Sequence, residues 1–332
     1  MTGSAMGVVT TVRGAVDPDD LGRTLVHEHF FFGYPGHEAD RTMWHYDEKE
    51  LIEKAGQVVE KVRAYGVTTV FDLTPNDCGR DVRLLKEIAE RFGIHVVATS
   101  GYYHEHEGAA GYFKFRRLFG DIVKELTELF VTELTEGVEG TGIRTGVMKV
   151  ATSPGRITDY EKATIQAAAA AQQLTGVPIL THTSHGTMGP QQARLLIDSG
   201  AEPSKVVIGH MCERAHNIDY QLEVLRQGVG VAFDRIGGTH MFNDVTDDDR
   251  MDMVVNLMDR GFGDRVFLAH DSVNHWKGRD SSGFHELPGT ENWGIHRIGE
   301  YIIPGLLERG LTQNDVDGLL SDNVKHLWKS GS

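Results

Sequence analysis

Thr24-Leu25-Val26-His27-Glu28-His29 ends the first apolar segment of the chain with two histidines two residues apart. In a β-strand, alternate side chains face opposite ways, so His27 and His29 share one face and can grip one ion. The alternative is a pair of surface histidines with no shared task. The remainder of the chain favours the shared face, because β-branched apolar runs and segments of 3.6-residue period alternate over nearly its whole length.

The strand-like runs after His29 are 67–73, 94–99, 145–150, 177–182, 205–210, 229–235 and 265–271. Between them lie an aromatic, glycine-rich loop (30–46) and helical patterns over 51–62, 81–91, 112–135, 159–174, 191–196, around Leu222, and over 249–258. Gly176 stands where a helix C-terminus needs a glycine. Two more helical segments, 298–309 and 314–328, finish the chain. Eight strand–helix units in order predict an α/β fold, the (β/α)8 TIM barrel. No low-complexity linker interrupts them, so one domain over 7–330 is expected, with residues 1–6 a disordered start or a cloning remnant.

Composition narrows the functions. A formal net charge of −15 disfavours nucleic acid and anionic membrane surfaces, which need a basic footprint, and suits a small neutral substrate. No apolar stretch reaches the roughly 18 residues of a membrane span. Cys78 and Cys212 are too few for a disulfide framework, which fits a reducing, cytoplasmic setting.

Residues capable of chemistry stand at the C-terminal ends of the predicted strands: His27 and His29, Lys149, His182, His210, Arg235 and Asp271. A barrel gathers those ends on one face. Four histidines and a carboxylate around one ring would cost about 1–3 kcal/mol for each unpaired polar group, and a metal centre removes that cost. Imidazole with carboxylate suits Zn, Co, Mn or Fe, with zinc the first expectation. Lys149 must be neutral, turned away, or converted by carbon dioxide into an anionic carbamate; residue chemistry alone favours an ordinary salt-bridged lysine.

The motifs Val26-His27-Glu28-His29, Val147-Met148-Lys149-Val150-Ala151-Thr152, Gly176-Val177-Pro178-Ile179-Leu180-Thr181-His182-Thr183, Ile208-Gly209-His210, Ala232-Phe233-Asp234-Arg235-Ile236-Gly237 and Leu268-Ala269-His270-Asp271 span nearly the whole chain. In them the sequence resembles the phosphotriesterase family of the amidohydrolase superfamily, and most of all its phosphotriesterase-like lactonases. The resemblance implies two divalent ions. His27, His29 and Asp271 would hold the more buried one and His182 and His210 the more exposed one, with carboxylated Lys149 and a hydroxide bridging them. It also implies that Asp271 shuttles the proton and that the protein is a homodimer. The expected activity is opening of γ- or δ-lactones with alkyl chains, or of acyl-homoserine lactones, with promiscuous organophosphate triesterase activity. The rivals are a dedicated triesterase or another ester or amide hydrolase, a Schiff-base aldolase using Lys149, and a metal-binding protein without catalysis.

Arg235 replaces the histidine of dedicated triesterases, as in the lactonases, and would orient the ring oxygen or hold the loops closed. Tyr103, or its neighbour Tyr102, stands where lactonases set a tyrosine over the metals. Asp322-Asn323 departs from the family's Asn-Pro and is expected to affect only a helix start. His104 and His106 read as solvated, Cys212 as a buried thiol, and Glu213 as either an outward proton relay or surface charge. Trp276, Phe284 and Trp293 would shape an apolar leaving-group pocket. Phe30-Phe31-Phe32 and Tyr112-Phe113 are the apolar loops a partner subunit would cover.

Overall fold

The computed structural model describes residues 7–45, 47–108, 111–239 and 244–329; the expected disordered start, 1–6, lies outside them. An antiparallel hairpin that sequence reading does not anticipate, β1 (Val9–Thr11) with β2 (Gly14–Val16), precedes eight barrel strands. These are β3 (Arg23–Glu28), β4 (Val67–Asp72), β5 (His95–Gly101), β6 (Val147–Thr152), β7 (Ile179–Thr183), β8 (Val206–Ile208), β9 (Gly230–Phe233) and β10 (Val266–Leu268). All pair in parallel in sequence order. Backbone bonds from Asp271 N to His27 O (2.9 Å) and from His29 N to Ser272 O (3.0 Å) join the last strand to the first. The result is the expected (β/α)8 barrel.

One apolar residue from each barrel strand fills the interior: Val26, Phe71, Val97, Val147, Leu180, Val207, Ala232 and Phe267. Val9 of the hairpin and Val324, Leu327 and Trp328 of the C-terminal segment join this layer. The chemistry-bearing side chains stand above it. In β3 this depends on a bulge: Leu25 pairs with Val70 and Glu28 with Asp72, so three residues advance against two. An extra residue re-aims the side chains beyond it, which lets Val26 fill the core and its neighbour His27 enter the site.

Most helices match the predicted periodicity and begin on side-chain caps, as Val82–Phe92 does on Asp81 and Asp159–Thr175 on a Thr158–Glu161 capping box. Gly176 adopts φ 72° at the end of the latter, as its position required. The pattern over 112–135 is not one helix. It divides into Gly111–Arg116 and Ile122–Thr135, because Gly120 breaks the run and the Asp121 carboxylate caps Val123 and Lys124 N–H instead. Asn323 does more than start the last helix: its Nδ2 donates to the carbonyls of Gly263 and Val266, both at 2.7 Å, and ties the chain end to β10. Phe30, Phe31 and Phe32 need no partner subunit, since each is at most 5% exposed beneath the loop after β10. Among the described residues no helix is long and apolar enough to cross a membrane.

Gly101, at φ 150°, ends β5 beside Lys149: a Cβ there would lie 1.9 Å from the Lys149 carbonyl oxygen. Gly101→Ala must therefore push β5 and β6 apart. We expect a loss of about 2 kcal/mol or more, read calorimetrically as a fall of several degrees in Tm.

Candidate metal centre

The strand ends bring six donors together. Asp271 Oδ1 lies 3.2 Å from His27 Nε2 and 3.0 Å from His29 Nε2, and His182 Nδ1 lies 2.8 Å from His210 Nε2. One donor atom each from His27, His210 and Asp271 lies within 4.8 Å of the others, linking the two groups. Lys149 Nζ is 2.8 Å from His27 Nε2 and almost wholly buried. His210 and Asp271 sit just beyond the three-residue strands β8 and β10, with φ of 59° and 52°. Such conformations persist where the surroundings impose them, often at functional sites.

The far side of each imidazole shows what the near side offers. Asp234 Oδ2 binds His27 Nδ1 at 2.7 Å and Asp234 Oδ1 binds His210 Nδ1 at 3.0 Å. Burial opposes ionisation of Asp234, but His210 and His27 outweigh it and hold the carboxyl well below its usual range, so it accepts from both rings. Thr74 donates its hydroxyl proton to Phe31 O (2.9 Å), so it must accept from His29 Nδ1 at 2.8 Å. Ser184 donates to Thr152 O (2.9 Å) and likewise accepts from His182 Nε2 at 3.1 Å. Rings fixed this way turn His27 Nε2, His29 Nε2, His182 Nδ1 and His210 Nε2 toward one another, toward a carboxylate and toward the Lys149 amine. Burial pushes the pKa values of His27, His29 and His182 down, opposing relief by protonation. Divalent cations fit this donor set, since lone pairs packed against lone pairs are otherwise repulsive. Burial also lowers the pKa of Lys149, which favours the neutral amine.

A family model for the phosphotriesterase family matches residues 7–328. The chain belongs to this family. It is 31% identical over 321 residues to an aryldialkylphosphatase of Saccharolobus solfataricus, covering 95% of this chain and 98% of that one. It is 30% identical to an N-acetyltaurine hydrolase of Danio rerio, with 96% and 97% covered. Among solved structures, a mutant of a phosphotriesterase-like lactonase from Deinococcus radiodurans superposes with a TM-score of 0.92 at 42% identity, over 97% of this chain and all of that one. As a member of the phosphotriesterase family, a family of metal-dependent hydrolases, the chain is a hydrolase.

Above the donors, the family member's cleft is walled by Phe32, Tyr34, Tyr103, Arg235, Val273, Trp276 and Trp293. Phe284 packs behind them on Trp276 (4.9 Å between ring centroids) and Trp293 (5.6 Å). Tyr34 stacks on Trp276 at 5.6 Å. Of the two adjacent tyrosines, Tyr103 faces the site, with its ring 5.1 Å from that of His182, while Tyr102 packs against Phe113 and Phe130. Burial holds the Tyr103 hydroxyl well above its ordinary pKa, so it remains a donor. Its proton helps to hold the Glu107 carboxylate down, behind the larger effect of His104.

The expectations for His104 and Glu213 change. His104 is 2% exposed rather than solvated: its ring stacks on His182 at 4.9 Å. His106 is exposed, as expected. Glu213 is buried and ion-paired with Arg235 Nη1, which excludes surface charge. Arg235 Nε reaches Asp271 Oδ2 at 3.0 Å, so a guanidinium that cannot give up its proton separates Asp271 from Glu213 and blocks a relay along that line. Cys212 is a buried free thiol.

Asp234 lies inside one of the sequence motifs, yet sequence reading gives it no task. Its signal was available, as a carboxylate two residues beyond the inward-facing Ala232 on a strand of period 2. Asp234→Asn leaves one carbonyl oxygen for two rings. We expect zinc affinity about 10- to 100-fold weaker in chelator competition, with the circular dichroism spectrum retained.

Proposed function

We propose that this chain opens lactones, with slower hydrolysis of organophosphate triesters. The observation that carries this reading is Tyr103, a buried hydroxyl beside the His182–His210 pair in a narrow aromatic cleft. The similarity to a phosphotriesterase-like lactonase at 42% identity supports it.

His27, His29 and Asp271 would hold one divalent ion and His182 and His210 a second, zinc being the first choice for this donor set. Together the ions would acidify a water and polarise the scissile carbonyl. Lys149 amine adds to carbon dioxide, losing one proton, and the resulting carbamate supplies the anionic charge that an ammonium would oppose. Asp271 takes the proton of the attacking water and returns it to the departing ring oxygen, while Arg235 keeps its other carboxylate oxygen engaged. Tyr103 exchanges Glu107 for the oxyanion of the tetrahedral adduct. A triester needs room for three substituents, and Phe32, Trp276 and Trp293 occupy that room.

Two buried free thiols fit a cytoplasmic location. With Phe30–Phe32 internal and Phe113 buried rather than waiting for a partner, Tyr112, Phe115, Leu118 and Phe119, each more than half exposed, form the apolar cluster we assign to a second copy. A homodimer through this face is part of the reading, and Leu118→Glu with Phe119→Glu should give a monomer near 37 kDa by light scattering.

On one zinc-loaded sample, kcat/KM for the best alkyl lactone should exceed that for any triester by about tenfold, or roughly 1.4 kcal/mol of barrier. Tyr103→Phe should depress lactone opening more than triester hydrolysis, whose leaving group departs with less help. A sample in which a paraoxon-like triester outruns every lactone points to a dedicated triesterase. A short N-acyl amine as best substrate points to an amidase.

A further inference from the structure

Glu28, the residue between the two histidines of β3, faces away from the site and takes no part in the chemistry of the metal centre. Its side chain is fully buried, and its carboxylate is saturated with hydrogen bonds. Oε1 accepts from His270 N (2.9 Å) and His270 Nδ1 (2.6 Å); Oε2 accepts from Ser272 N (3.0 Å) and Ser272 Oγ (2.6 Å). Between these two residues stands Asp271, whose own N–H donates to the His27 carbonyl at 2.9 Å. Three consecutive N–H groups of the turn after β10 therefore end on the dipeptide His27-Glu28. His270 Nε2 accepts from Ile298 N at 3.1 Å, so Nδ1 carries the ring proton and donates to Glu28.

The turn held this way is the one at which Asp271 adopts φ 52°. Aspartate tolerates this conformation better than most side chains, but it remains uncommon, and contacts to the flanking N–H groups select it over the alternatives. We propose that Glu28 is a positioning residue for Asp271: by binding the N–H groups on either side, it sets the turn that aims the carboxylate at His27 and His29. The inference rests on the reading of Asp271 as a metal ligand and proton carrier. It makes the bulged strand β3 supply both the histidine donors and the template for the aspartate.

Glu28→Gln tests it in the zinc-loaded enzyme. The amide keeps the volume, but its NH2 meets two donors that the carboxylate accepted. Glu133→Gln is the control, since Glu133 is an equally hydrogen-bonded, buried carboxylate bound to Arg80, Ser100 and Asn76, outside the cleft. Glu28→Gln should weaken zinc binding about tenfold or more in chelator competition and lower kcat more than it raises KM. The control should lose Tm alone. In a crystal structure of Glu28→Gln, φ of Asp271 should leave the left-handed region. Zinc affinity and kcat within about twofold of the parent, or a loss matched by the control, overturns the proposal. If Glu28→Gln does not fold, Glu28→Asp decides by the same two criteria, because it keeps the charge but cannot span both neighbours. A parent protein that binds no zinc would refute the metal-centre reading itself, an outcome distinct from failure of the variant contrast.

Discussion

The carboxylate of Asp234 touches no substrate, yet both halves of the site depend on it. Each oxygen takes an imidazole proton, from His27 on one side and from His210 on the other, and Oδ1 also takes the His210 backbone N–H at 2.7 Å. The two rings then point their remaining nitrogens into the same space, stacked 5.2 Å apart. Thr74 and Ser184 do for His29 and His182 what Asp234 does for its pair. The donor set is arranged before any cation arrives, and the cost of holding bare nitrogens together falls on the fold.

The fold bears this through its lower layer. Side chains from all eight strands close the barrel interior beneath the site, and the N-terminal hairpin and the C-terminal tryptophan seal it. The unusual backbone positions are then local: His210 and Asp271 lie just past short strands with positive φ, and a bulge in β3 shifts the histidines into register. Bulges and left-handed residues next to an apolar plug let the upper layer depart from regular geometry without loosening the lower one.

The barrel was legible because it obeys short-range periodicity, strand runs of six or seven residues, and the candidate metal-binding residues stood out because most of those runs carry a chemistry-bearing side chain at or near their end. What escaped was set by contacts distant in sequence. The hairpin at Val9–Val16 is too short for a periodic signal. Burial of Phe30–Phe32 depends on the loop after β10, far along the chain, through bonds such as Phe32 N to His275 O at 3.0 Å. His104 looked solvated beside Glu105, His106 and Glu107, and only the stacking on His182 brings it inside. The partners that hold Arg235, Glu213 and Asp271, are likewise distant along the chain. Nothing local distinguishes such residues from surface charge.

Diffraction from zinc-loaded crystals on either side of the zinc absorption edge tests the central claim most directly. Two anomalous peaks about 3.5–4 Å apart, one among His27, His29 and Asp271 and the other between His182 and His210, with carboxylate density extending from Lys149 Nζ toward both, is the predicted result. A single peak, or two peaks beside a bare Lys149 amine, would contradict it.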